Sequence, residues 1–374
     1  MPEDSAPPLA IDGGTPLRTS VWPAQAIPTP ADDIAPLATL ESEFAARLGL
    51  IASAVIAYRD QAAAFDAAFA SLEPLGRDEV VVPALLGERL AAAARRAGWR
   101  VVPGDVEPDA VALSTRGLSR ALSSATGAIG IAHAFGHPPV MVEIARVAAD
   151  SGAPIIEDAT DGLGASYRGE AMGRTGRAVF AMGAGHVLTA GAATPDSGGA
   201  LLVLRDPVQA EAARAARDAA GGALPEGAAR IALAELRGAD AEIEARQRLA
   251  WDLTFGLSRA KALASMPHSR YIHHAYDRYV VRLRGVLWKR PLDETLAAIR
   301  AEGVPCEAAV GPSLHLDAEV LASLAGDGRL APEHFAAASR LPGELIAIPL
   351  HGGLTSKDMD DVNAVLRKVE QWSQ

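Results

Sequence analysis

The chain has 374 residues, of which 49% are hydrophobic and 22% charged, a composition typical of a folded globular protein. Its formal net charge of −11 argues against a general nucleic-acid or anionic-membrane surface, since both require clustered positive charge. A single cysteine, Cys306, excludes an internal disulfide framework and a cysteine-rich metal site. No apolar run approaches the roughly 20 residues that span a bilayer, and residues 1–8 carry no signal-peptide pattern. The sequence therefore predicts a cytoplasmic protein with no nucleic-acid or membrane partner.

The first part of the chain predicts an extended arm followed by an α/β domain. Residues 1–35 are rich in proline and polar residues, which interrupt helices. From about residue 40, short apolar runs alternate with segments of helical spacing, a pattern that predicts a mostly parallel sheet covered on both faces. Predicted strands cover residues 54–58, 79–82, 100–103, 128–132, 154–157, 178–182 and 200–204. Predicted helices between them cover residues 61–72, 85–97, 115–123 and 140–151.

The rest of the chain predicts a smaller α+β domain. Residues 228–263 contain few helix breakers and predict one or two helices that leave the first domain. A strand at 279–283, a helix at 292–302 and a closing helix at 356–372 follow, and Thr355 can cap that last helix. The predicted organisation is an arm at 1–35, a large α/β domain at 36–245 and a small domain at 246–374.

Several segments, in a fixed order along the chain, point to one family. They are AIDGGTPLR at 10–18, DEVVVP at 78–83, HAFGHP at 133–138, IIEDATDGLGA at 155–165, VFAMGAGHVLT at 179–189 and LIAIPLHGGLT at 345–355. Together these segments resemble the DegT/DnrJ/EryC1/StrS family of sugar aminotransferases. The resemblance implies the fold-type-I aminotransferase architecture, with a mostly parallel sheet of seven strands, a small C-terminal domain and a homodimer with shared active sites.

His186 stands where this resemblance places the lysine that binds pyridoxal phosphate. An imidazole cannot replace that lysine, because only a primary amine condenses with the aldehyde to form a Schiff base. Asp158 matches the family's aspartate that pairs with the pyridinium nitrogen of the cofactor. The alternative interpretation of Asp158 is a carboxylate at a strand end that accepts backbone hydrogen bonds.

Other positions that the resemblance assigns to the cofactor also carry unsuitable residues. The stretch at 58–63, with Arg59 and Gln61, replaces a Ser-Gly-Thr-like turn for the phosphate, and its Asp60 adds a negative charge. The stacking aromatic, the phosphate-contacting serine and the glutamine near the phenolic oxygen correspond to Gly87, Ala181 and Asp161. These substitutions predict an enzyme that uses no cofactor, and pyridoxal phosphate held non-covalently is the alternative.

The candidate catalytic residues are His186, Asp158, Asp161 and His133. Imidazole suits acid–base work, because its unperturbed pKa lies near neutral pH. The alternative for His186 is a polar loop residue with no catalytic role. A cluster of His137, His186, Asp158 and Asp161 could also bind a divalent metal, but the spacing is not that of a metal motif, and the sequence predicts none.

The sequence predicts an enzyme that acts on a sugar, a cyclitol or a related small molecule in a biosynthetic pathway, with His186 as its acid–base group. One alternative is a pyridoxal-phosphate-dependent sugar dehydratase in which His186 is the base. Another is a non-catalytic protein partner of an active paralogue or of a glycosyltransferase. A homodimer is expected for each of them.

Overall fold

Seven strands form one sheet in the first 204 residues of the chain. The structure, a computed structural model, describes residues 8–73, 76–183, 185–190, 198–267 and 269–373. Residues 1–7 of the predicted arm and Ala184, two residues before His186, lie outside these ranges. The strands are β1 (Val55–Tyr58), β2 (Glu79–Pro83), β3 (Arg100–Gly104), β4 (Thr126–Ala132), β5 (Ile155–Asp158), β6 (Ser166–Tyr167), β7 (Glu170–Ala171), β8 (Arg177–Ala181), β9 (Ala200–Leu204), β10 (Leu263–Ser265), β11 (Ile272–His273), β12 (Arg278–Leu283), β13 (Glu307–Ala308) and β14 (Leu345–Pro349).

The large sheet has the order β1-β9-β8-β5-β4-β2-β3. Strands β3, β2, β4, β5 and β8 run parallel to one another, whereas β9 is antiparallel to both β8 and β1. The residues of β1, β2, β4 and β9 are buried throughout, as expected for strands covered on both faces. The predicted mostly parallel seven-stranded sheet is confirmed.

Helices cover the sheet and continue into a second body. Helix α7 has 32 residues, so it is about 48 Å long at a rise of 1.5 Å per residue. The helices are α1 (Pro36–Arg47), α2 (Gln61–Ala70), α3 (Glu88–Arg96), α4 (Thr115–Ala121), α5 (Met141–Ser151), α6 (Pro207–Ala219), α7 (Glu226–Leu257), α8 (Leu292–Ala301), α9 (Ala318–Ser323), α10 (Ala336–Arg340) and α11 (Ser356–Ser373).

Helix α7 is shared by two hydrophobic cores. Its first half packs Leu233 and Ile243 into a core with β8, β9 and α1. Its second half packs Leu249 and Leu253 against the C-terminal strands and α11. The C-terminal body is built on an antiparallel sheet of order β10-β12-β14-β13 and is the predicted smaller α+β unit. A separate three-stranded sheet, β11-β6-β7, links residues of the two bodies.

The described part of the N-terminal arm is fastened to the C-terminal body. The buried carboxylate of Glu302 accepts hydrogen bonds from the backbone amides of Ala10 and Leu17, and it pairs with Lys368 at 2.7 Å. Arg18 pairs with Asp358 at 2.7 Å. Further along the arm, the Gln25 side chain reaches the backbone carbonyl of His186 at 3.1 Å. The arm therefore connects the C-terminal body to the segment that carries His186.

The start of α11 confirms the predicted cap. The Thr355 amide and hydroxyl donate to the Asp358 carboxylate at 2.8 and 2.7 Å, and the Asp358 amide donates back to the Thr355 hydroxyl at 3.3 Å. This reciprocal arrangement satisfies amides at the helix start that have no partner within the helix. Among the described residues, no helix combines the length and the apolar character needed to cross a bilayer.

Candidate active site

The candidate site lies where the carboxyl ends of β5 and β8 meet the start of β12. Ala132, Asp158 and Val179 are neighbours in register across β4, β5 and β8. The segment after β8 turns back on itself, since the Gly183 amide donates to the Leu188 carbonyl at 3.0 Å. This turn places His186 opposite Asp277, which immediately precedes β12. Ligand sites in α/β sheets commonly lie outside the carboxyl ends of strands.

His186 and Asp277 form a buried imidazole–carboxylate pair. The distance between His186 Nδ1 and Asp277 Oδ1 is 3.0 Å, and both side chains are 2% exposed. A second carboxylate, Asp161 Oδ1, lies 3.6 Å from the same nitrogen. His186 Nε2 and Asp277 Oδ2 are buried without a hydrogen-bond partner among the described residues. Such unsatisfied polar atoms are uncommon in folded proteins, and they are available to hydrogen-bond a ligand or a water molecule.

Arg246 fixes the backbone around this pair. Its guanidinium is fully buried on α7 and donates to the backbone carbonyls of Gly185, His186 and Asp277 at 3.0 to 3.2 Å. Its Nε donates to Glu242 at 2.7 Å, one turn earlier on the same helix. Because both members of the His186–Asp277 pair are held through their own backbone by one rigid side chain, their spacing is set by α7.

The charges of this cluster are strongly coupled. Burial alone would raise the pKa of Asp277, but the neighbouring imidazole of His186 holds it at about 2. Burial alone would lower the pKa of His186, but the Asp277 carboxylate outweighs burial and raises it. Burial, reinforced by the Asp277 charge, raises the pKa of Asp161 to about 6. The cluster therefore favours the protonated form of His186 and contains a second acid that titrates close to pH 6.

The cavity beside His186 is small. It is lined by Thr160, Asp161, Ala181, His186 and Asp277, among other described residues, and has a volume of about 10 Å³. That volume is about the minimum needed to hold one water molecule. Asp161, His186 and Asp277 bring nitrogen and oxygen atoms within 4.8 Å of one another. The guanidinium of Arg246, 3.7 Å from Asp277 Oδ1, disfavours a divalent cation there, so this arrangement suits proton transfer better than metal binding.

Of the four predicted catalytic residues, the structure places Asp161 and His186 in contact, and Asp158 lies at the carboxyl end of β5. Asp158, at the end of β5, accepts hydrogen bonds at Oδ1 from the Thr160 amide and hydroxyl, and its Oδ2 lies 3.9 Å from Arg89. Asp161 accepts the Phe135 amide at 3.1 Å and adjoins His186. Asp158 thus accepts a backbone hydrogen bond, as expected if it is a carboxylate at a strand end. Its other oxygen faces Arg89.

His133 is placed elsewhere. Its Nε2 lies 2.8 Å from Glu157 Oε2, and both side chains are fully buried. Glu157 and Asp158 are consecutive residues of β5, so their side chains point to opposite faces of the sheet. His133 therefore lies on the face away from Asp158. His137 packs its ring against His274, with 5.3 Å between ring centres.

Sequence reasoning missed Asp277 and Arg246. Arg246 had a detectable signal, because it interrupts a stripe formed by Ile243, Ala250 and Leu253 that is otherwise apolar, and a charge in a buried stripe needs partners. Asp277 had none, since its contact with His186 joins residues 91 positions apart.

The fold and the site together define an α/β protein with a buried histidine–carboxylate cluster at the sheet edge. A model of the DegT/DnrJ/EryC1/StrS aminotransferase family matches residues 36–367, and the chain belongs to this family. The L-glutamine:scyllo-inosose aminotransferase of Streptomyces griseus is 30% identical over 339 residues, which cover 79% of this chain and 78% of that protein. The L-glutamine:2-deoxy-scyllo-inosose aminotransferase of Streptomyces fradiae is 31% identical over 220 residues. This second match covers 52% of the chain and about half of that relative.

Solved structures show the same fold. DesI in the presence of its TDP-sugar product aligns with a TM-score of 0.82 and 21% identity, covering 97% of this chain and 96% of that one. The aminotransferase TlmJ from Streptoalloteichus hindustanus aligns with a TM-score of 0.78 and 23% identity, covering 91% of both chains. The expected aminotransferase fold is confirmed.

The expectation that the chain uses no cofactor is wrong. The family to which it belongs consists of pyridoxal-phosphate-dependent aminotransferases, and substitutions at single contact positions do not show that the cofactor has been lost. The structure tests instead how the cofactor could be attached. The resemblance places the attachment at His186, whose imidazole is engaged with Asp277. All four lysines of the chain lie at or beyond position 261.

The other predicted cofactor positions do not fit the phosphate or the ring of the cofactor. The Asp60 carboxylate caps the N-terminus of α2 by accepting the Ala63 amide at 3.1 Å, at the turn where the resemblance places the phosphate. Gln61 is buried and donates to the Met182 carbonyl at 3.1 Å. A Cβ atom at Gly87 would lie 2.2 Å from the Pro83 carbonyl oxygen, so this position accepts no stacking ring. Arg59 donates to the Gly221 carbonyl, and Ala181 is buried. We therefore derive no step through pyridoxal phosphate.

Proposed function

We propose that this protein is an acid–base enzyme for a small cyclic ketone of the sugar or cyclitol class, with His186 as the group that transfers the proton. The observation that carries the proposal is the His186–Asp277 pair, with its 3.0 Å contact at Nδ1 and no described partner at Nε2. A buried imidazole whose second nitrogen is unpartnered has the arrangement of a general acid or base. His186 also borders the small cavity at the sheet edge.

Asp277 selects the nitrogen that exchanges protons. An ionised carboxylate only accepts hydrogen bonds, so His186 Nδ1 carries a hydrogen toward Asp277 Oδ1. Nε2 is then the nitrogen that gains or gives up the catalytic proton. Because Asp277 raises the pKa of His186, Nε2 is protonated over a wider pH range than in a free histidine.

Asp161 supplies the second titratable group. Proton abstraction beside a ketone moves the C–H electron pair into a carbon–carbon double bond, while the carbonyl π pair moves to oxygen and takes up a proton. Two groups are needed, one that removes a proton and one that donates it. His186 and Asp161, with 3.6 Å between Nδ1 and Oδ1, meet this requirement, since Asp161 titrates near pH 6 and Asp277 raises the pKa of His186.

The substrate class follows from the relatives. The names of the Streptomyces griseus and Streptomyces fradiae relatives specify scyllo-inosose and 2-deoxy-scyllo-inosose, which are six-membered rings with one ketone. A ketone of this type has weakly acidic hydrogens on the carbons next to the carbonyl. Removing one of them is the reaction for which His186 and Asp161 are arranged.

Exchange of those hydrogens with solvent tests the proposal. Purified protein is mixed with scyllo-inosose in D₂O, with and without added pyridoxal phosphate, and deuterium incorporation is followed by NMR. We expect catalysed exchange by the wild type and a loss of about 10²- to 10⁴-fold in His186→Gln. His273→Gln changes an exposed histidine outside the site and should leave the rate unchanged. Exchange by His186→Gln at the wild-type rate, or no exchange by the wild type, would overturn the proposal.

A second candidate is a sugar dehydratase that holds pyridoxal phosphate non-covalently and uses His186 as its base. The observation that favours it is Asp158, whose carboxylate stands at the position of the pyridinium partner and keeps Oδ2 free of hydrogen bonds from Thr160. An absorbance titration with pyridoxal phosphate followed by dialysis distinguishes the two, since retained stoichiometric cofactor supports the dehydratase. A protein that neither retains pyridoxal phosphate nor catalyses hydrogen exchange would favour the third alternative, a non-catalytic protein partner. Sedimentation would then test the expected homodimer.

A further inference from the structure

A second cavity adjoins the His186–Asp277 pair on the side of the C-terminal body. It has a volume of about 220 Å³ and is bounded by Gly185 from the large body and by the edge of the C-terminal sheet. Asp277 lines both this cavity and the small one beside His186. A ligand seated in the larger cavity would therefore lie next to the acid–base cluster. Cavities between two bodies of a chain are a frequent place for small-molecule binding.

Most of the cavity wall is apolar. Pro305, Cys306 and Pro349 contribute to it, and Cys306 is the only cysteine of the chain. Burial raises the pKa of the Cys306 thiol to about 12, so this side chain stays uncharged and acts as a small apolar group. Such a wall suits the face of a carbon ring.

Arg278 is the single cation in the described lining of this cavity. Its Nη1 donates to Glu307 at 3.1 Å, and its Nε lies 3.7 Å from Asp277 Oδ2. These two contacts use Nη1 and Nε, and the side chain is 25% exposed. A guanidinium with donors available at one edge binds a carboxylate in a planar, directed manner.

We propose that the 220 Å³ cavity binds a six-membered carbon ring that carries one carboxylate, with Arg278 pairing to the carboxylate and the apolar wall covering the ring. The proposal rests on the proposed function, since it specifies the substrate that His186 acts on. The cavity lies below the 300–1,000 Å³ typical of sites for drug-sized ligands, so a compact acid would fill it. The nearby carboxylates of Asp277 and Glu307 favour a monoanion over a doubly charged phosphate.

The test compares three ring compounds that differ in one group. Binding of cyclohexanecarboxylate, cyclohexanemethanol and cyclohexyl phosphate to the full chain is measured by titration calorimetry. We expect the carboxylate to bind at least 10-fold more tightly than the alcohol and the phosphate, because a charge-assisted hydrogen bond is lost or mismatched in the other two. Arg278→Gln should weaken carboxylate binding by about 10- to 100-fold.

Matched variants keep the result interpretable. Arg282→Gln removes an arginine of the same strand that lines a different cavity, so it should bind the carboxylate like the wild type. Arg278→Lys retains the charge without the planar fork and should bind with intermediate affinity even if the glutamine variant folds poorly. His186→Gln should retain binding, so binding without proton exchange would reject the proposed reaction and leave this site standing. Equal affinity of Arg278→Gln and wild type, tighter binding of the alcohol or phosphate, or no saturable binding would overturn the assignment.

Discussion

Two buried histidine–carboxylate pairs lie at the carboxyl end of the large sheet, and their carboxylates differ. Glu157 of the His133–Glu157 pair accepts hydrogen bonds from His133, from the Gly173 amide and from both the amide and the hydroxyl of Thr175. Asp277 of the His186–Asp277 pair accepts one at Oδ1, and its Oδ2 has no hydrogen-bond partner among the described residues. Both oxygens of the Glu157 carboxylate accept hydrogen bonds from the protein, whereas Asp277 Oδ2 can still accept one from a ligand.

The difference teaches how to separate a structural from a functional pair. Both pairs are buried and have short contacts, so burial and distance alone do not distinguish them. Burial alone would raise the pKa of Glu157, but its hydrogen bonds, led by the one from His133, lower it. The pKa of Asp277 is instead lowered by the imidazole and the arginines beside it. The charge of Asp277 in turn raises the pKa of the neighbouring acid, Asp161. The functional pair is therefore the one that has polar atoms without hydrogen-bond partners and lies next to an acid with a shifted pKa, Asp161.

The sharpest test of this comparison removes the saturated carboxylate. Glu157→Ala leaves His133 and three donors without their acceptor in the core, and breaking a buried pair from one side costs about 3–5 kcal/mol. Urea denaturation should show this loss in the free energy of unfolding. Glu170→Ala removes an exposed acid that pairs with Arg174 and should cost less than about 1 kcal/mol. If Glu157→Ala were as stable as the wild type, the pair would not have the structural role assigned to it.

A pH test addresses the second acid of the functional cluster. The folded-state pKa of Asp161 is about 6 and its ordinary value is 3.8, so the folded protein binds more protons between these values. The free energy of unfolding should therefore fall as the pH rises from about 4 to 6, by up to about 3 kcal/mol, and Asp161→Asn should remove this fall. His186, whose pKa is also raised, loses its contribution only as the pH rises through its own folded-state value.

Urea titrations at several pH values measure the effect, with Asp150→Asn as the control, since Asp150 is 70% exposed. Asp150→Asn should follow the wild type at each pH. The same pH slope in Asp161→Asn as in the wild type would show that Asp161 does not share protons with the cluster.

The smallest expected effect concerns the N-terminal arm. Gln25→Ala removes one of the donors to the His186 carbonyl, but Arg246 still donates to it at 3.2 Å. We expect a loss of about 0.5–1.5 kcal/mol in the free energy of unfolding, measured in urea. Gln371→Ala, at an exposed position of α11, should change it by less than about 0.5 kcal/mol. A loss above about 3 kcal/mol would mean that the arm, and not Arg246, holds the His186 segment.

Much of the fold was predictable because its signals are local. All seven strands of the large sheet were predicted within about two residues, since buried parallel strands are short apolar runs. Helix α6 was missed, although its alanine-rich sequence favours a helix. In α7, Gly256 does not break the helix. A Cβ atom there would lie 2.0 Å from the Asn363 side chain, so the glycine permits close packing against α11.

The site was predictable only where the family resemblance reached. The segments that carry Asp158, Asp161 and His186 follow adjacent strands, and their convergence follows from the sheet order. The partner of His186 comes from the C-terminal body, and no local pattern around Asp277 indicates that contact. His133 was placed in the site by its position in a shared motif, but a shift of one residue along β5 puts its partner on the other face.

Helix α7 also has a mechanical consequence. This one continuous helix packs into both hydrophobic cores. The cleft between the two bodies therefore widens only if the helix bends or if one core shifts along it. Arg246 lies between Ile243 of one core and Leu249 of the other. Its guanidinium donates hydrogen bonds to backbone carbonyls on both sides of the cleft. Flexing at that point would alter the 3.0 Å contact at His186 Nδ1 directly. The pKa of His186 should therefore change when the cleft between the two bodies opens.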